Sequence, residues 1–473
     1  MGQPKVNQAF LLGNTGQELY KPARLAKAGE EGRGSLHCAH MSRGPADPWG
    51  FLPPECLTLI RLVRTPAKRV EGRHKVSGNG AEHRTICIFS AFFYPYLGGI
   101  EGWTDSLMQA LAAKGYRVIL VVNNHANLSA YEEYLPGIEI YRLPCRVFAS
   151  NRYPVPKKDD EFKRLWGELL NRDMWGLLIN TRFYEHSLMG CDMARAHGLR
   201  PIVVDHGSSW LGFGNPRIDW AVRAYERGFT QLVKAKHPDF YGVSHASSRW
   251  LEHFGISPKG VLHNSIDAEA YRASASGRDF RVELGLPEDA YVVAWTGRLV
   301  PQKGTNCLLG MAPILAEKSP RTHVLVAGDG PERGHMESYA YSNLHLLGRL
   351  SHEDVSQLLS TAQLFCFPSL YPEATPSSIM EAAAWALPAV CSDTGGVKEL
   401  IPDGQACGTV LPSQDSDPFV ERILWYQNNP AIAREHGANL RRRIETEYTW
   451  PDTARRVIDA LEHCRTEEAG MMP

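Results

Sequence analysis

The sequence lacks the marks of membrane-spanning, disulfide-stabilised and metal-binding proteins. It has no run of about 18 apolar residues, the length that predicts a transmembrane helix, and its N-terminus lacks a basic-then-apolar signal-peptide pattern. Ten cysteines are spread over 473 residues without a CxxC or Cys/His zinc pattern. Three of them, Cys87, Cys366 and Cys391, fall in apolar runs. Sparse cysteines of this kind indicate buried free thiols and fit a reducing cytoplasm.

Excess charge of one sign is also missing, because the formal net charge is −1. The chain as a whole is therefore not expected to bind nucleic acid. The glycine fingerprint GxGxxG is absent, which disfavours a dinucleotide oxidoreductase, and so is the phosphate loop GxxxxGK[ST]. What remains is the composition of a soluble globular protein, with 43% hydrophobic and 22% charged residues and length for two or three domains.

Residues 1–83 differ in composition from the rest of the chain. They are rich in Gly, Pro, Lys and Arg and show little sustained periodicity. This pattern predicts a disordered N-terminal extension. Two alternatives stay open: translated sequence upstream of the real start, with Met41 as an internal candidate, or a basic arm that binds a membrane or a partner.

From Arg84 onward, apolar runs alternate with amphipathic helical segments, beginning with the predicted strand 85–90, helix 103–114 and strand 117–122. This alternation predicts parallel sheets in an α/β protein. A polar, turn-rich stretch, 271–290, marks a boundary. We therefore expect two facing Rossmann-like, doubly wound domains, 84–270 and 271–450, followed by a final helix within 451–473. Sheets of this kind bind ligands at the carboxyl ends of their strands.

The stretch from Phe365 to Glu399 carries the strongest chemical pattern. It predicts a strand at 364–367, a helix at 376–387 with Thr375 as N-cap, and a strand at 389–391. Glu373 and Glu381 lie on either side of the start of this helix. Free N–H groups at a helix N-terminus bind anions, so hydroxyl acceptors would flank an anion site, as a nucleotide sugar requires. The alternative is two surface glutamates beside an ordinary turn.

Two further loops follow predicted strands. In Thr296–Gly304, Arg298 and Lys303 can neutralise a diphosphate without a metal, or they are two solvated cations. Gly98 and Gly99 precede a helix and suit close approach to a phosphate, although paired glycines also form plain turns.

Several polar residues have both a functional and a structural interpretation. His206 follows a strand and can bond a sugar hydroxyl, or it is structural. Asn264 and Asp267 can cap a helix or a turn. Asp415 and Asp417 form a DxD triplet, which capping explains well enough that no metal site is predicted.

The predicted helix 218–236 places Trp220, Tyr225 and Phe229 among several basic residues. It can lie on anionic lipid, but a core-packed helix with one solvated face is the preferred interpretation.

Together these motifs resemble those of the retaining glycosyltransferases of family 4, which have the GT-B fold. The resemblance covers residues 84–464 and rests on the order and spacing of its motifs: GGIE (98–101), DHG (205–207), HNSID (263–267), TGRLVPQKG (296–304), VAGDGPE (326–332), LLGRLSHEDV (346–355), E373-x7-E381 and TGGVKEL (394–400). Two departures stand out. Glu-Ala-Thr-Pro replaces the usual EGFG-like start of the acidic motif, and Asn264-Ser265 replaces Asn-Gly.

The resemblance implies a role for each matching position. The donor diphosphate would lie against Arg298, Lys303 and Gly99 of the Gly98-Gly99 pair. Glu381 would bind the ribose hydroxyls. The transferred sugar and its phosphate would contact Glu373 and the backbone N–H groups of 374–377, including Thr375 and Ser377. Gly348 and Arg349 would border the base, His206 would approach the reacting carbon, and the final helix would cross back to the first domain.

The resemblance also implies the reaction. A hexose would pass from a UDP or GDP sugar to a hydroxyl of a glycan or a lipid-linked acceptor with retention of anomeric configuration and without a metal or cofactor. The protein would act in the cytoplasm, either free or attached peripherally to the inner face of the membrane. The alternatives are a synthase of a soluble sugar or sugar phosphate on the same fold, and a catalytically silent protein that binds nucleotide sugars.

Overall fold

The computed structural model describes residues 84–96, 98–148, 153–210, 212 and 215–470, with the side chains of 467–470 excepted. The predicted disordered extension, residues 1–83, lies outside this range. Within it, the chain forms two sheets flanked by helices, which confirms the predicted α/β class with two Rossmann-like domains.

Nine of the described strands form the first sheet: β1 (Thr85–Phe89), β2 (Arg117–Asn124), β3 (Tyr131–Leu135), β4 (Ile138–Phe148), β5 (Tyr153–Pro156), β6 (Gly176–Asn180), β7 (Ile202–Asp205), β8 (Asp239–Gly242) and β9 (Gly260–Val261). Their order is β3-β4-β2-β1-β6-β7-β8-β9, with β5 also paired to β4. The pairs β3–β4 and β4–β5 are antiparallel, and the other pairs are parallel.

The helices that accompany this sheet are α1 (Gly99–Ala113), α2 (Asp160–Leu170), α3 (Glu185–Ala196), α4 (Pro216–Lys234) and α5 (His245–Glu252). Apolar clusters lie on both faces of the sheet. Its central strands are continuous apolar runs for this reason, because a parallel strand covered on both faces has no solvated side.

The second sheet has six parallel strands in the order β12-β11-β10-β13-β14-β15. They are β10 (Tyr291–Thr296), β11 (Thr322–Ala327), β12 (Leu344–Gly348), β13 (Leu364–Phe367), β14 (Ala389–Ser392) and β15 (Gly408–Leu411). The order reverses beside β10, which makes the carboxyl edge there a topological switch point, the usual place for a ligand in such sheets.

The remaining helices are α6 (Ala268–Ala273), α7 (Phe280–Glu283), α8 (Thr305–Lys318), α9 (Arg333–Glu337), α10 (His352–Thr361), α11 (Ser377–Ala384), α12 (Val397–Leu400), α13 (Ser416–Asn428), α14 (Pro430–Glu447) and α15 (Trp450–Gly470). The last of these packs on the first sheet's side of the molecule. Val457 and Leu461 belong to the same apolar cluster as Leu107 of α1, and Thr453 donates a hydrogen bond to the carbonyl of His263 at 3.1 Å.

The structure corrects several sequence predictions. Helix α1 begins at Gly99 and not at Trp103, and β3, β4, β5 and α2 were not predicted. The N-cap of α11 is Pro376 and not Thr375, because the Thr375 hydroxyl donates instead to the carbonyl of Val243 at 3.3 Å. Among the helices that the structure describes, none is long and apolar enough to cross a membrane.

Candidate active site

The loops at the carboxyl edge of the second sheet touch one another backbone to backbone. Gly304, which ends the loop after β10, has φ 82°, and a Cβ there would lie 2.1 Å from the carbonyl oxygen of Pro368 after β13. Gly395, after β14, has φ 53°, and its Cβ would lie 2.0 Å from the carbonyl oxygen of Glu373. Both positions therefore require glycine, and they bring three loops together.

This packing joins two of the predicted site residues directly. The ammonium group of Lys303 forms an ion pair with the carboxylate of Glu373. Both side chains are partly accessible, with 26% of Lys303 and 20% of Glu373 exposed. Arg298 lies on the same loop as Lys303 and is exposed. The edge thus presents positive charge to solvent at a position where an anionic ligand can reach it.

Helix α11 adds an anion-binding feature between the two glutamates. Its N-cap, Pro376, has no side chain that can accept from the first helical N–H groups. The N–H groups of Ser377 and Ser378 therefore lack a side-chain cap, and the positive end of the helix dipole adds to their effect. This helix N-terminus can hold one or two phosphate oxygens.

Glu381, farther along α11, is only partly exposed. Burial raises the pKa of its carboxyl group to about 7, because a charged carboxylate is poorly solvated there. Hydroxyl groups that donate hydrogen bonds to the carboxylate would stabilise its charged form. The pair of ribose hydroxyls of a nucleotide fits this requirement.

His206 lies on the first sheet's carboxyl edge and is held by a chain of hydrogen bonds. Its Nε2 is 3.0 Å from the Asn180 side-chain oxygen, Asn180 donates to the Thr104 hydroxyl at 2.8 Å, and Thr104 donates to the carbonyl of Ile100 at 2.7 Å. The Trp103 ring and the imidazole form a T-shaped pair, with centroids 4.9 Å apart. This order of donors makes Nε2 the protonated nitrogen and leaves Nδ1 as an acceptor.

Burial lowers the pKa of His206 to about 3, so the ring is neutral at physiological pH. So weak a base does not readily take a proton from a hydroxyl group. His206 can still accept a hydrogen bond through Nδ1 and orient a hydroxyl. Asn180 and Thr104, which fix its orientation, were not among the predicted site residues, and no local motif marks either of them.

Gly98 and Gly99 lie where α1 begins, with Gly98 as the N-cap. A carboxylate that the sequence interpretation passed over lies beside them. Glu101 is 5% exposed, and burial raises its pKa to about 7. A Cβ at Gly98 would lie 2.5 Å from an oxygen of this carboxylate. Glu101 is the last residue of the GGIE motif, but only the two glycines of this motif were predicted to belong to the site.

The carboxyl edges of the two sheets face each other, and the space between them is called the cleft here. Contacts across this cleft join the two domains. The Ser208 hydroxyl donates to the carbonyl of Pro372, next to Glu373, and Ala374 belongs to an apolar cluster of the first domain. The Glu399 carboxylate accepts from the N–H groups of His245 and Ala246 at 2.8 and 2.7 Å, at the start of α5. The loop that carries His206 therefore touches the loop that carries Glu373.

The other predicted positions lie around this core. Gly348 has φ 72° and its carbonyl accepts from the N–H of Gly328 at 2.8 Å, which ties β12 to the loop after β11. Asp267 caps α6 by accepting from the N–H of Ala270 at 2.9 Å, and Asn264 accepts from Ser265 at 3.0 Å. Asp415 stands at the N-cap position of α13, but its side chain caps no N–H group of the helix and instead accepts from the Ser413 hydroxyl at 2.8 Å. Among the described residues, no cluster of His, Cys, Asp or Glu suits a metal ion.

Two family models match most of the chain between residues 97 and 446. The model described as Glycosyltransferase Family 4 matches 97–270, and the model described as Glycosyl transferases group 1 matches 277–446. The chain belongs to the family 4 glycosyltransferases. It is therefore an enzyme, and the family and fold together support a nucleotide sugar as its donor.

Named relatives are distant but match over most of their length. A human protein named as one of the subunits of phosphatidylinositol N-acetylglucosaminyltransferase is 26% identical over 392 residues, which cover 81% of this chain and 76% of that protein. The Corynebacterium glutamicum "GDP-mannose-dependent monoacylated alpha-(1-6)-phosphatidylinositol monomannoside mannosyltransferase" is 27% identical over 397 residues, with 81% and 98% covered.

Solved structures show the same GT-B fold. Sucrose-phosphate synthase from Thermosynechococcus elongatus superposes with a TM-score of 0.65 at 19% identity, covering 81% of this chain and 100% of that one. HepE of Anabaena in complex with UDP superposes with a TM-score of 0.60 at 15% identity, covering 80% and 99%.

Proposed function

We propose that the protein transfers a hexose or hexose derivative from a nucleoside-diphosphate sugar to a hydroxyl of a lipid-linked glycan or polyol, with retention of anomeric configuration. The observation that carries this proposal is the carboxyl edge of the second sheet. There Arg298, the Lys303–Glu373 ion pair and the open N-terminus of α11 lie on loops that touch one another.

The donor would lie along this edge with its diphosphate between Arg298, Lys303 and the N–H groups of Ser377 and Ser378. Three positive or partly positive groups stabilise a diphosphate most when it leaves, because its negative charge grows as the bond to the sugar breaks. We propose that no resident metal is needed. Full activity in the presence of EDTA supports this, and loss of activity that Mg²⁺ or Mn²⁺ restores contradicts it.

The ion pair suggests how donor binding prepares Glu373. The carboxylate of Glu373 forms an ion pair with the ammonium group of Lys303. A bound diphosphate competes for the ammonium group, which then has a stronger anion to neutralise. Glu373 then becomes available to accept hydrogen bonds from the hydroxyls of the transferred sugar. In this way the diphosphate of the donor prepares the carboxylate that binds its sugar.

The transfer step then needs no protein nucleophile. The bond between the anomeric carbon and the diphosphate oxygen breaks while the acceptor oxygen forms its bond on the same face. The acceptor proton passes to the departing diphosphate. His206, with a pKa of about 3 because of its burial, orients a hydroxyl through Nδ1 and does not serve as the base.

Two observations support a lipid-linked acceptor. The human and corynebacterial relatives carry phosphatidylinositol in their names. Both match this chain over about four fifths of its length, including the first domain, whose edge faces the donor site. Similarity to sucrose-phosphate synthase concerns the fold alone.

The test is product analysis with two classes of acceptor. The protein is incubated with UDP and GDP sugars and either vesicles that contain phosphatidylinositol or soluble acceptors such as inositol and hexose phosphates. A glycosylated lipid with retained configuration by NMR supports the proposal. A soluble disaccharide product indicates a synthase, donor binding without transfer to either class indicates a silent binding protein, and an inverted product contradicts the mechanism.

A further inference from the structure

Helix α4 exposes large apolar side chains that the core does not need. Trp220 is 68% exposed, Ile218 is 48% exposed and Leu232 is 43% exposed. The helix is anchored through its other face, where Phe229 and Val233 are buried. The helix therefore packs on the core through one face and leaves one face solvated, as the preferred sequence interpretation expects, but the solvated part also carries apolar side chains in the first turns.

The charges on the outer face are positive. Arg217, Arg223 and Arg227 are exposed. Together with Trp220 they lie along one side of the helix, in the order Arg217, Trp220, Arg223, Arg227, at spacings of three or four residues. The acidic residues of the helix do not offset them there. Asp219 is partly buried, and Glu226 is buried and paired with Arg182 at 2.6 Å. This side of the helix thus combines one indole with three guanidinium groups.

The guanidinium groups are also placed beside a second indole. Arg227 lies 4.9 Å from the centre of the Trp210 ring and Arg223 lies 6.0 Å from it. Cation–π contacts of this kind hold the charged ends near the helix surface. The guanidinium groups of Arg223 and Arg227 are therefore held close to each other on the surface of the helix.

The position of the helix links this face to the active site. Its chain enters from the loop of His206, in which Ser208 bonds the carbonyl of Pro372 across the cleft. The helix begins at Pro216, a few residues after this contact. The first turn of α4 therefore follows closely in the chain after a residue that contacts the second domain.

We propose that the exposed face of α4, formed by Arg217, Trp220, Arg223 and Arg227, docks on an anionic lipid bilayer. Guanidinium groups attract lipid phosphates, and an indole is favourable at the boundary between headgroups and acyl chains. The inference rests on the proposed function, because a lipid-linked acceptor gives the docking its purpose: the bilayer would present acceptor headgroups to the cleft.

The experiment measures co-sedimentation of the full chain with vesicles of phosphatidylcholine alone and of phosphatidylcholine with phosphatidylserine. The wild type is expected to bind only the anionic vesicles. Trp220→Ser is expected to lower partitioning roughly tenfold, and Arg217→Gln combined with Arg223→Gln roughly 30-fold, since each basic residue contributes about tenfold or less near such a surface.

Matched controls separate this face from general surface effects. Val282→Ser removes another exposed apolar side chain, 75% exposed and in the second domain, and Arg321→Gln with Arg434→Gln removes two exposed charges there. Both controls are expected to bind vesicles as the wild type does. The stabilisation of each variant by UDP or GDP is measured in parallel, so that loss of folding or of the donor site is seen separately.

Three results would overturn the inference. The first is absence of wild-type binding to anionic vesicles while nucleotide stabilisation is intact. The second is an equal loss in the control variants. The third is binding that heparin competes for, that salt abolishes and that Trp220→Ser leaves unchanged, which would indicate a site for an anionic polymer.

Discussion

The two edges that face each other across the cleft differ in charge. The edge of the second sheet carries two exposed or partly exposed cations, Arg298 and Lys303, and two carboxylates, Glu373 and Glu381. The edge of the first sheet presents a neutral imidazole, His206, fixed by neutral side chains, and its one carboxyl group named above, Glu101, is only partly charged near neutral pH because burial raises its pKa to about 7. The difference matches the proposed substrates, because the donor carries a diphosphate and the acceptor reacts through an uncharged hydroxyl.

The edges also differ in how they are held. Backbone contacts that only glycine permits join the loops of the charged edge, such as Gly304 against Pro368. A chain of side-chain hydrogen bonds, from His206 through Asn180 to Thr104, orders the neutral edge. Substitutions at the neutral edge should therefore alter the orientation of the acceptor hydroxyl. Substitutions at the charged edge should alter donor binding and the stabilisation of the departing diphosphate.

The largest expected effect comes from removing a cation of the charged edge. Arg298→Ala or Lys303→Ala should lower kcat/KM roughly 100- to 1,000-fold, since each deletes a group that stabilises the departing diphosphate. Steady-state kinetics with saturating acceptor measure it, and Lys318→Ala, at the end of α8, is the control for a lost surface charge. A loss below about threefold would show that the charge of this edge does not serve the donor.

Glu381 should act through the ribose. Glu381→Gln is expected to weaken binding of a ribonucleoside diphosphate roughly tenfold or more, because a hydrogen bond to a charged group is lost. The same substitution should have little effect on the 2′,3′-dideoxy nucleotide, which has no hydroxyls to lose. Calorimetric titration of the wild type and Glu381→Gln with both nucleotides completes this double-mutant-type cycle. If the substitution weakens binding of the two nucleotides equally, Glu381 does not bind the ribose hydroxyls.

His206 should have a smaller effect and mainly on kcat. His206→Ala is expected to reduce kcat about tenfold by releasing the acceptor hydroxyl from its orientation, with a modest change in the KM for the donor. Because burial lowers the pKa of His206 to about 3, the ratio of wild-type to variant kcat should stay constant between pH 5 and 8. A ratio that rises with pH through about 6.5 would assign His206 the role of a base.

The smallest effect concerns stability and has opposite signs at the two edges. The raised pKa of Glu381, about 7, means that its contribution to the free energy of unfolding is present below pH 4.5 and is lost as pH rises to about 7. The lowered pKa of His206 means that its contribution is present above pH 6.5 and is lost as pH falls toward 3.

Thermal unfolding across this range, with Glu381→Gln and His206→Gln beside the wild type, measures both contributions. The gain in Tm from Glu381→Gln should grow as pH rises between 4.5 and 7. The loss from His206→Gln should shrink as pH falls below 6.5. If the Tm of all three proteins changes with pH in parallel, the shifted pKa values of Glu381 and His206 do not contribute to stability, and this prediction is contradicted.

Sequence patterns predicted the second sheet better than the first. Strand β13 has the predicted bounds, 364–367, because a strand buried on both faces is a continuous apolar run. Strand β3, Tyr131–Leu135, alternates between exposed and partly buried residues and pairs antiparallel at the sheet's end. The two glutamates of β3 interrupt the apolar pattern by which the other strands were predicted. An edge strand tolerates such charged residues, whereas a central strand does not.

The features that sequence could not predict depend on contacts between distant segments. Thr375 was expected to cap α11, but a carbonyl 132 residues away takes its hydroxyl. The ion pair of Lys303 with Glu373 joins residues 70 apart, and the exposure of Trp220 follows from which face of α4 meets the core. Motif spacing indicated which residues lie on the carboxyl edges but not which of them touch.

The most direct test of the central claim is a thermal-shift series with UDP, GDP, ADP and their sugars on the wild type, Arg298→Ala and Glu381→Ala. A ligand that binds only the folded protein raises its Tm by mass action. The account predicts that one diphosphate family stabilises the wild type and that both variants lose most of this stabilisation. If no nucleotide stabilises the wild type, or if both variants respond as the wild type does, the donor site is not where the charged edge places it.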